Sequence, residues 1–363
     1  LADTKPSLLL QGASPRLIDE WQVAPVLWDA VRYEVDRRGD VGAFILTGSA
    51  VPRDHAVMHT GTGRIARLKM RTMSLLESGE SHGEVSLQAL LDGVQEDAGS
   101  QSKLSVEDYA YLICRGGWPA GIQRKGDAAL RTANDYVESL IQHDVSEVDG
   151  VEKNPERVRL LLRSLARNIA TMANYPTLLG DLEATALQLS ERTVATYLNA
   201  LERIFVVEDV PAWLPSLRSK TAIRTSAKRH FVDPSIATAV MRARPQALLE
   251  DMETLGLLFE SLCTRDLRVY ASHLDGDVFH YRDKSGLEAD LILRLRDGRW
   301  GAIEVKLGQS AIETAARHLL ALAQRVDEVK MGAPAFLMVL TGGVYAYRRA
   351  DGVWVVPLGC LGV

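Results

Sequence analysis

The 363-residue sequence predicts an α/β protein built from more than one domain. Three observations carry that expectation. Near the N-terminus, Arg16-Leu-Ile and Ala43-Phe-Ile-Leu flank a helical pattern from Val26 to Val35, which is the strand–helix–strand order of a parallel sheet. Near the C-terminus, the runs from Asp290 and from Trp300 to Lys306 read with period 2 as two strands joined by the turn Arg296-Asp-Gly-Arg299. Between them, from Ser81 to Trp213, the apolar spacing is mostly helical.

Composition narrows the class. Apolar residues make up 47% and charged residues 25%, the balance of a soluble globular chain. A net charge of −5 supplies no global field for nucleic acid, so such contact needs a local patch. Three scattered cysteines, Cys114, Cys263 and Cys360, point to a reducing cytoplasm and away from a disulfide framework or a zinc site. No apolar run approaches the roughly 18 residues of a membrane span, and no signal peptide is legible. The chain opens Leu-Ala-Asp-Thr without an initiator Met, which leads to the expectation that it is part of a longer product.

The first strand ends in Asp19 and Glu20, and the second in Thr47 and Ser49. In a parallel sheet both sets emerge at the carboxyl ends, where functional side chains gather. A plain alternative is an N-cap with first-turn acids. Leu-Ile-Asp-Glu-Trp-Gln followed by Phe-Ile-Leu-Thr-Gly-Ser-Ala resembles the second half of the nucleotide-binding core in a prokaryotic AAA+-lineage ATPase family, whose members carry a C-terminal restriction-endonuclease-like domain of uncharacterised function. The resemblance implies that Asp19 is a Walker B metal ligand, Glu20 the carboxylate that polarises attacking water, and Thr47 and Ser49 the sensor of the γ-phosphate. It also implies that Arg64, in Thr60-Gly-Thr-Gly-Arg, reports on the nucleotide. The G-x-x-x-x-G-K-[ST] loop that would cradle phosphates is nowhere in this sequence. The expectation is that it precedes Leu1, the alternative being that nucleotide binding has been lost.

Residues 81–154 read as a helical lid, with helices over Val106–Ile113 and Leu130–Val148 separated by Arg115-Gly-Gly-Trp-Pro-Ala-Gly121. Residues 155–246 read as a winged-helix connector. Leu178–Leu189, a turn capped by Ser190, the helix Thr193–Glu202, and runs at Ile204–Val207 and Pro211–Trp213 give helix, turn, helix, strand. Arg192, Thr193, Thr196 and Asn199 would face a DNA groove if the module reads bases. Arg218, Lys220, Arg224, Lys228 and Arg229 follow with no acid between Trp213 and His230, a run suited to phosphate contact or to a solvated loop.

In residues 247–363, helix Leu255–Arg265, strand Val278–Tyr281, the hairpin, helix Ile312–Val329 and strand Ala335–Leu340 follow in the order α-β-β-β-α-β. This is the order that the restriction-endonuclease-like core requires. Within it, Asp290 is followed after 13 residues by Glu304-x-Lys306, and Glu304 and Lys306 share a strand face. Two carboxylates and an ammonium at a sheet edge suit Mg²⁺-dependent hydrolysis: the acids hold the ion and the Lys orients water or steadies phosphate charge. A half-buried hairpin with a cross-strand ion pair is the structural alternative. Glu260 stands where that lineage places a helix-borne acid, and Glu288 is a spare acid on the Asp290 face.

The expected protein is therefore a cytoplasmic one with a partial P-loop ATPase core over residues 1–80, a helical lid, a winged-helix connector and a nuclease-like domain. Its expected cofactors are Mg²⁺ and, with an upstream P-loop, ATP. Its expected partners are DNA and a second protein or copy, with no membrane. The rival is a non-enzymatic DNA-binding or antitoxin-like regulator whose sites have decayed.

Overall fold

The computed structural model describes residues 5–49, 62–96, 99–145, 153–183, 190–215 and 226–363. In the N-terminal part, a short helix α1 (Pro6–Leu9) precedes β1 (Arg16–Ile18), α2 (Val26–Arg38) and β2 (Phe44–Leu46). The two strands pair in parallel, Leu17 opposite Ile45. Helix α2 ends on Gly39 in the left-handed region, with Arg37 and Arg38 in its last turn held by Glu34. One side of this small sheet is open: Leu17 is 63% and Ile45 50% exposed.

A chain of helices follows. Strand β3 (Val85–Ser86) leads into α3 (Leu87–Asp92), and then come α4 (Val106–Arg115), α5 (Pro119–Ile122) and α6 (Asp127–Ser139). Ser105 and Asp108 form a reciprocal capping box that fixes the start of α4. Helix α6 begins earlier than its apolar spacing suggests and continues as a π-turn over Leu140–Asp144. Next come α7 (Pro155–Arg167), α8 (Tyr175–Glu183) and α9 (Glu191–Arg203), the last capped by Ser190, whose hydroxyl accepts from the Thr193 amide. The remainder of the helix expected to run to Leu189 lies outside the described residues.

The segment after α9 is an antiparallel arm. Val207 pairs with Phe231 and Val210 with Lys228, and Ala212 then joins the sheet edge beside His280. After the Phe231 bridge, Val232-Asp233 leads into a helix, α10 (Pro234–Met241). The carboxylate of Asp233 caps it by accepting from the Ser235 amide at 2.9 Å. Then come α11 (Pro245–Glu250) and α12 (Met252–His273), the latter longer at both ends than its Leu255–Arg265 apolar core.

The sheet proper is six-stranded and mixed. Its strands are β4 (Gly276–Arg282), β5 (Glu288–Leu295), β6 (Trp300–Lys306), β7 (Phe336–Thr341), β8 (Tyr347–Arg348) and β9 (Trp354–Pro357), in the order β4-β5-β6-β7-β9-β8. The first three run as an antiparallel meander, whereas β7 is parallel to β6 and β9 to β7. Helix α13 (Ile312–Arg325) makes the crossover from β6 to β7. It stops at Arg325 rather than at Val329, because Val326 turns extended and Asp327 caps a separate short helix, α14 (Glu328–Met331). The chain closes with β10 (Leu361–Gly362), which returns to pair with β3. The structure is thus mixed α/β.

Both faces of the sheet are covered, so β6 is buried along nearly its whole length. Ile303, Val305, Met338 and Leu340 join the large core shared with α12 and the helices before it, which runs from Leu75 to Leu361. Trp300, Ala302, Val339 and Val355 face the opposite way, toward Ala315, Leu319 and Leu322 of α13. Gly301 allows the Phe336 ring to lie against the strand, since a Cβ there would stand 2.4 Å from that ring.

Arg115-Gly-Gly-Trp-Pro is tied to the start of α10 and, through it, to α12. The Gly117 amide donates to Asp233 at 2.9 Å, and Arg265 of α12 bridges Asp233 at 3.2 Å and Asp266 at 2.7 Å. The Leu75 amide donates to Asp266 at 2.9 Å, so one fully buried cation joins three distant stretches of chain. Among the described residues, no helix is long and apolar enough to cross a membrane.

Candidate functional site

Asp290, Glu304 and Lys306 meet where β5 and β6 part. The last backbone pair of the two strands is Leu291 with Ile303. Beyond it, the Val305 amide donates 2.9 Å to Oδ2 of Asp290, so a side chain takes over from the ladder. Lys306 Nζ reaches Glu304 Oε2 at 2.7 Å and Asp290 Oδ2 at 3.3 Å. Asp290 is 8% exposed and Glu304 only 2%, whereas the Lys306 side chain keeps 30% of its surface. The trio is buried at its acidic end and open at its ammonium.

Glu260, from α12, joins through a residue that the sequence reading placed elsewhere. Lys228 Nζ lies 2.7 Å from Glu260 Oε1 and 3.0 Å from Asp290 Oδ1. Lys228 and Arg229 are therefore not part of a solvated basic run. Arg229 pairs with Asp209 and lies over the Tyr175 ring, 5.7 Å from its centroid. Lys228 is held from behind as well: its amide donates to the Val210 carbonyl and its carbonyl accepts from the Val210 amide, both at 2.9 Å. The arm that carries it is clasped to the edge strand β4. At the bulge of β4, the His280 amide donates to the Pro211 carbonyl and its carbonyl accepts from the Trp213 amide. Trp213 then packs on Trp300 with ring centroids 4.7 Å apart.

Electrostatics follow from burial and pairing. Burial and the nearby charge of Asp290 push the carboxyls of both Glu260 and Glu304 above the usual carboxylate range. Burial also opposes ionisation of Asp290, but Lys228, Lys306 and the Val305 amide hold it well below that range. Desolvation opposes charge on the two ammonium groups, yet the acids beside them keep both protonated. Three acids thus share two cations, and Glu304 has one buried oxygen, Oε1, with no hydrogen-bond partner. Nδ1 of His318 lies 4.0 Å from it. Glu288, the spare acid on the sequence reading, turns to Arg282 at 3.7 Å instead.

A divalent ion such as Mg²⁺ needs several carboxylate or water oxygens about 2.0–2.1 Å away. Here an ammonium stands between Glu260 and Asp290, and another between Asp290 and Glu304. Among the described residues, no group of three or more His, Cys, Asp or Glu side chains is placed to hold a metal. As arranged, the site does not fit the ion, although the donor types suit it.

At the N-terminal end the structure brings four expected residues together. The Thr47 hydroxyl donates to Asp19, and Ser49 lies 3.3 Å from both Glu20 and the Gln22 amide. Glu20 adopts a left-handed backbone, φ 49°, at the strand end, and all but Thr47 of the four are exposed. Carboxylates at the open ends of parallel strands suit a hydrated Mg²⁺, while a phosphate cradle is not in this sequence. Arg64 is not with them: it pairs with Asp36 on α2 at 2.9 Å. On α9, Arg192, Thr196 and Asn199 lie on an exposed face and Thr193 is half-buried. Arg218, Lys220 and Arg224 lie outside the described residues.

The residue that sequence reasoning missed is Lys228. Its only local signal was position in an alternating stretch, Ala227-Lys-Arg-His-Phe-Val232, where Lys228 and His230 share one side and Arg229 points the other way.

Comparison with known proteins finds two family models, each described as a domain of unknown function: DUF8612 over residues 106–247 and DUF4143 over residues 255–361. An uncharacterised protein of Mycobacterium bovis and one of Mycobacterium tuberculosis are each 24% identical over 361 residues, covering 98% of this chain and 71% of the relative. An uncharacterised protein of Haemophilus influenzae is 21% identical over 257 residues, covering 71% of this chain and 58% of its own length.

Proposed function

We propose that this chain belongs to a cytoplasmic, ATP-dependent AAA+-type protein whose C-terminal domain has a restriction-endonuclease-like fold and acts on or near DNA. The observation that carries this reading is the convergence of Asp290, Glu304 and Lys306 where β5 and β6 part. They do so within a core running α12-β4-β5-β6-α13-β7. In that reading Lys306, the exposed member, meets a phosphate oxygen, while Asp290 and the buried Glu304 fix its ammonium. Asp19, Glu20, Thr47 and Ser49 supply the metal- and water-facing side of a nucleotide site. Bound ATP and Mg²⁺ would supply the phosphoanhydride and the counter-charge there.

A second reading, a DNA-binding regulator without nuclease activity, is supported by one specific observation: Lys228 stands between Glu260 and Asp290. Incubation of the protein with supercoiled plasmid and Mg²⁺ or Mn²⁺ separates the two. Cleavage that disappears in both Asp290→Ala and Glu304→Ala supports the nuclease reading. Binding that persists in EDTA, with no cleavage under any condition, supports the regulator. Absence of both binding and cleavage refutes the DNA assignment altogether.

A further inference from the structure

We propose that Lys228 is a built-in cation that stands in for a divalent metal at the Glu260–Asp290–Glu304 cluster, so that the chain's own ammonium, and not a bound ion, neutralises the site. This inference rests on the nuclease-like reading of the cluster and adds what controls it.

Three observations carry the inference. The first is position. Lys228 Nζ touches one oxygen from each of two acids on different elements, Glu260 of α12 and Asp290 of β5, the bridging position a shared ion would take. The second is anchorage. A flexible surface lysine would visit such a seat only part of the time, but the Lys228 backbone is paired twice with Val210. Its arm is further locked by Pro211 and Trp213 on His280, and His280 Nε2 stands 3.0 Å from the Ser226 carbonyl oxygen. Leaving the seat would break both ion pairs of a side chain that is only 9% exposed. The third is the remaining demand for positive charge. Three carboxylates face two ammonium groups, and one of those two belongs to Lys228. Without Lys228 the three acids are left with Lys306 as the one ammonium beside them. Oxygen ligands of that number and sign bind divalent cations. Removing the ammonium while keeping the side chain's bulk would therefore open a metal site from residues already in place.

The test is Mn²⁺ binding to the 363-residue chain at pH 7.5, read by electron paramagnetic resonance of free ion and by calorimetry, in wild type and in Lys228→Met. The inference expects weak or undetectable Mn²⁺ binding in wild type and a gain of at least tenfold in affinity in Lys228→Met. The gain should be abolished by adding Asp290→Asn. Mn²⁺ binding by wild type as tight as by Lys228→Met would overturn it, as would a gain that survives Asp290→Asn. If Lys228→Met does not fold, as judged by circular dichroism and melting, Lys228→Gln takes its place. Failure of both to fold would make Lys228 a structural tie and overturn the proposal. Cleavage is not the readout, so the two ideas fail separately. A variant that gains Mn²⁺ yet cuts no DNA would sink the nuclease reading and leave the built-in cation standing.

Discussion

Arg265 offers the sharpest test of how the protein is held together. Its guanidinium is fully buried between two fully buried carboxylates, Asp233 and Asp266. Those acids in turn receive the amides of Gly117, Ser235 and Leu75. Replacing it in Arg265→Met keeps much of the volume and removes the charge, leaving two acids in a dry interior. Breaking a buried pair in this way costs about 3–5 kcal/mol, a large share of the ~5–15 kcal/mol that stabilises a typical domain. The sign with pH is also fixed. In the wild type, burial opposes ionisation of Asp233, but Arg265, Ser235 and the Gly117 amide hold its carboxyl below the usual range; Asp266, with fewer donors, is raised by burial. Without Arg265 both are raised, so the folded variant binds protons that the unfolded chain has released above pH ~4. Its stability must then fall as pH rises, by about 1.4 kcal/mol per unit for each group still protonated. Urea unfolding followed by tryptophan fluorescence at pH 5, 6.5 and 8 measures this directly. The expected deficit relative to wild type grows from pH 5 to pH 8. A deficit that is flat with pH, or no larger than the ~0.5 kcal/mol of an ordinary surface change, would refute the reasoning.

Two further outcomes follow from the same interior. Gly117→Ala places a Cβ 2.1 Å from the Met73 carbonyl oxygen, a backbone atom that cannot swing away, and should cost about 1–3 kcal/mol in the same urea assay. Glu208 is opposed by burial, but Arg268, Arg71 and Lys69 hold it down to about 2 from its ordinary 4.5. That difference corresponds to about 3 kcal/mol of stability, fully present above pH ~4.5 and lost as pH falls toward about 2. Glu208→Gln should therefore be less stable than wild type at pH 7, with the gap closing on acidification. A gap unchanged between pH 6 and pH 3 in thermal melts would show that the cluster does not stabilise the fold.

Short-range pattern was enough to place most of the secondary structure. The period-2 runs around Asp290 and Glu304 and the turn Arg296–Arg299 correspond to β5, β6 and the link between them. Ser190 caps α9 as its position before Thr193 suggested. Glu304 and Lys306 lie side by side because residues two apart on a strand must. What local pattern could not supply was contact between segments far apart in the chain. The start of α10 is local, an Asp233 cap on the Ser235 amide with Pro234 in the first turn, but the other partners of that carboxylate, Gly117 and Arg265, are 116 and 32 positions away. Nothing in the sequence around Arg265 and Asp266 shows that they face Asp233 and Leu75.

The carboxylate–lysine hairpin illustrates the division most clearly. Sequence by itself determined the chemistry on offer: two acids and a lysine on the strands of one hairpin, with Glu260 added on a helix by family resemblance. Only the tertiary structure decided which cation those acids face. Lys228 lies 62 residues from Asp290 and in a run that read as surface charge, yet the clasp of Pro211 and Trp213 on His280 turns it inward. The reason is physical. A charge in the sequence carries a sign but no position, and burial multiplies the effect of a charge only once the fold has chosen its neighbours.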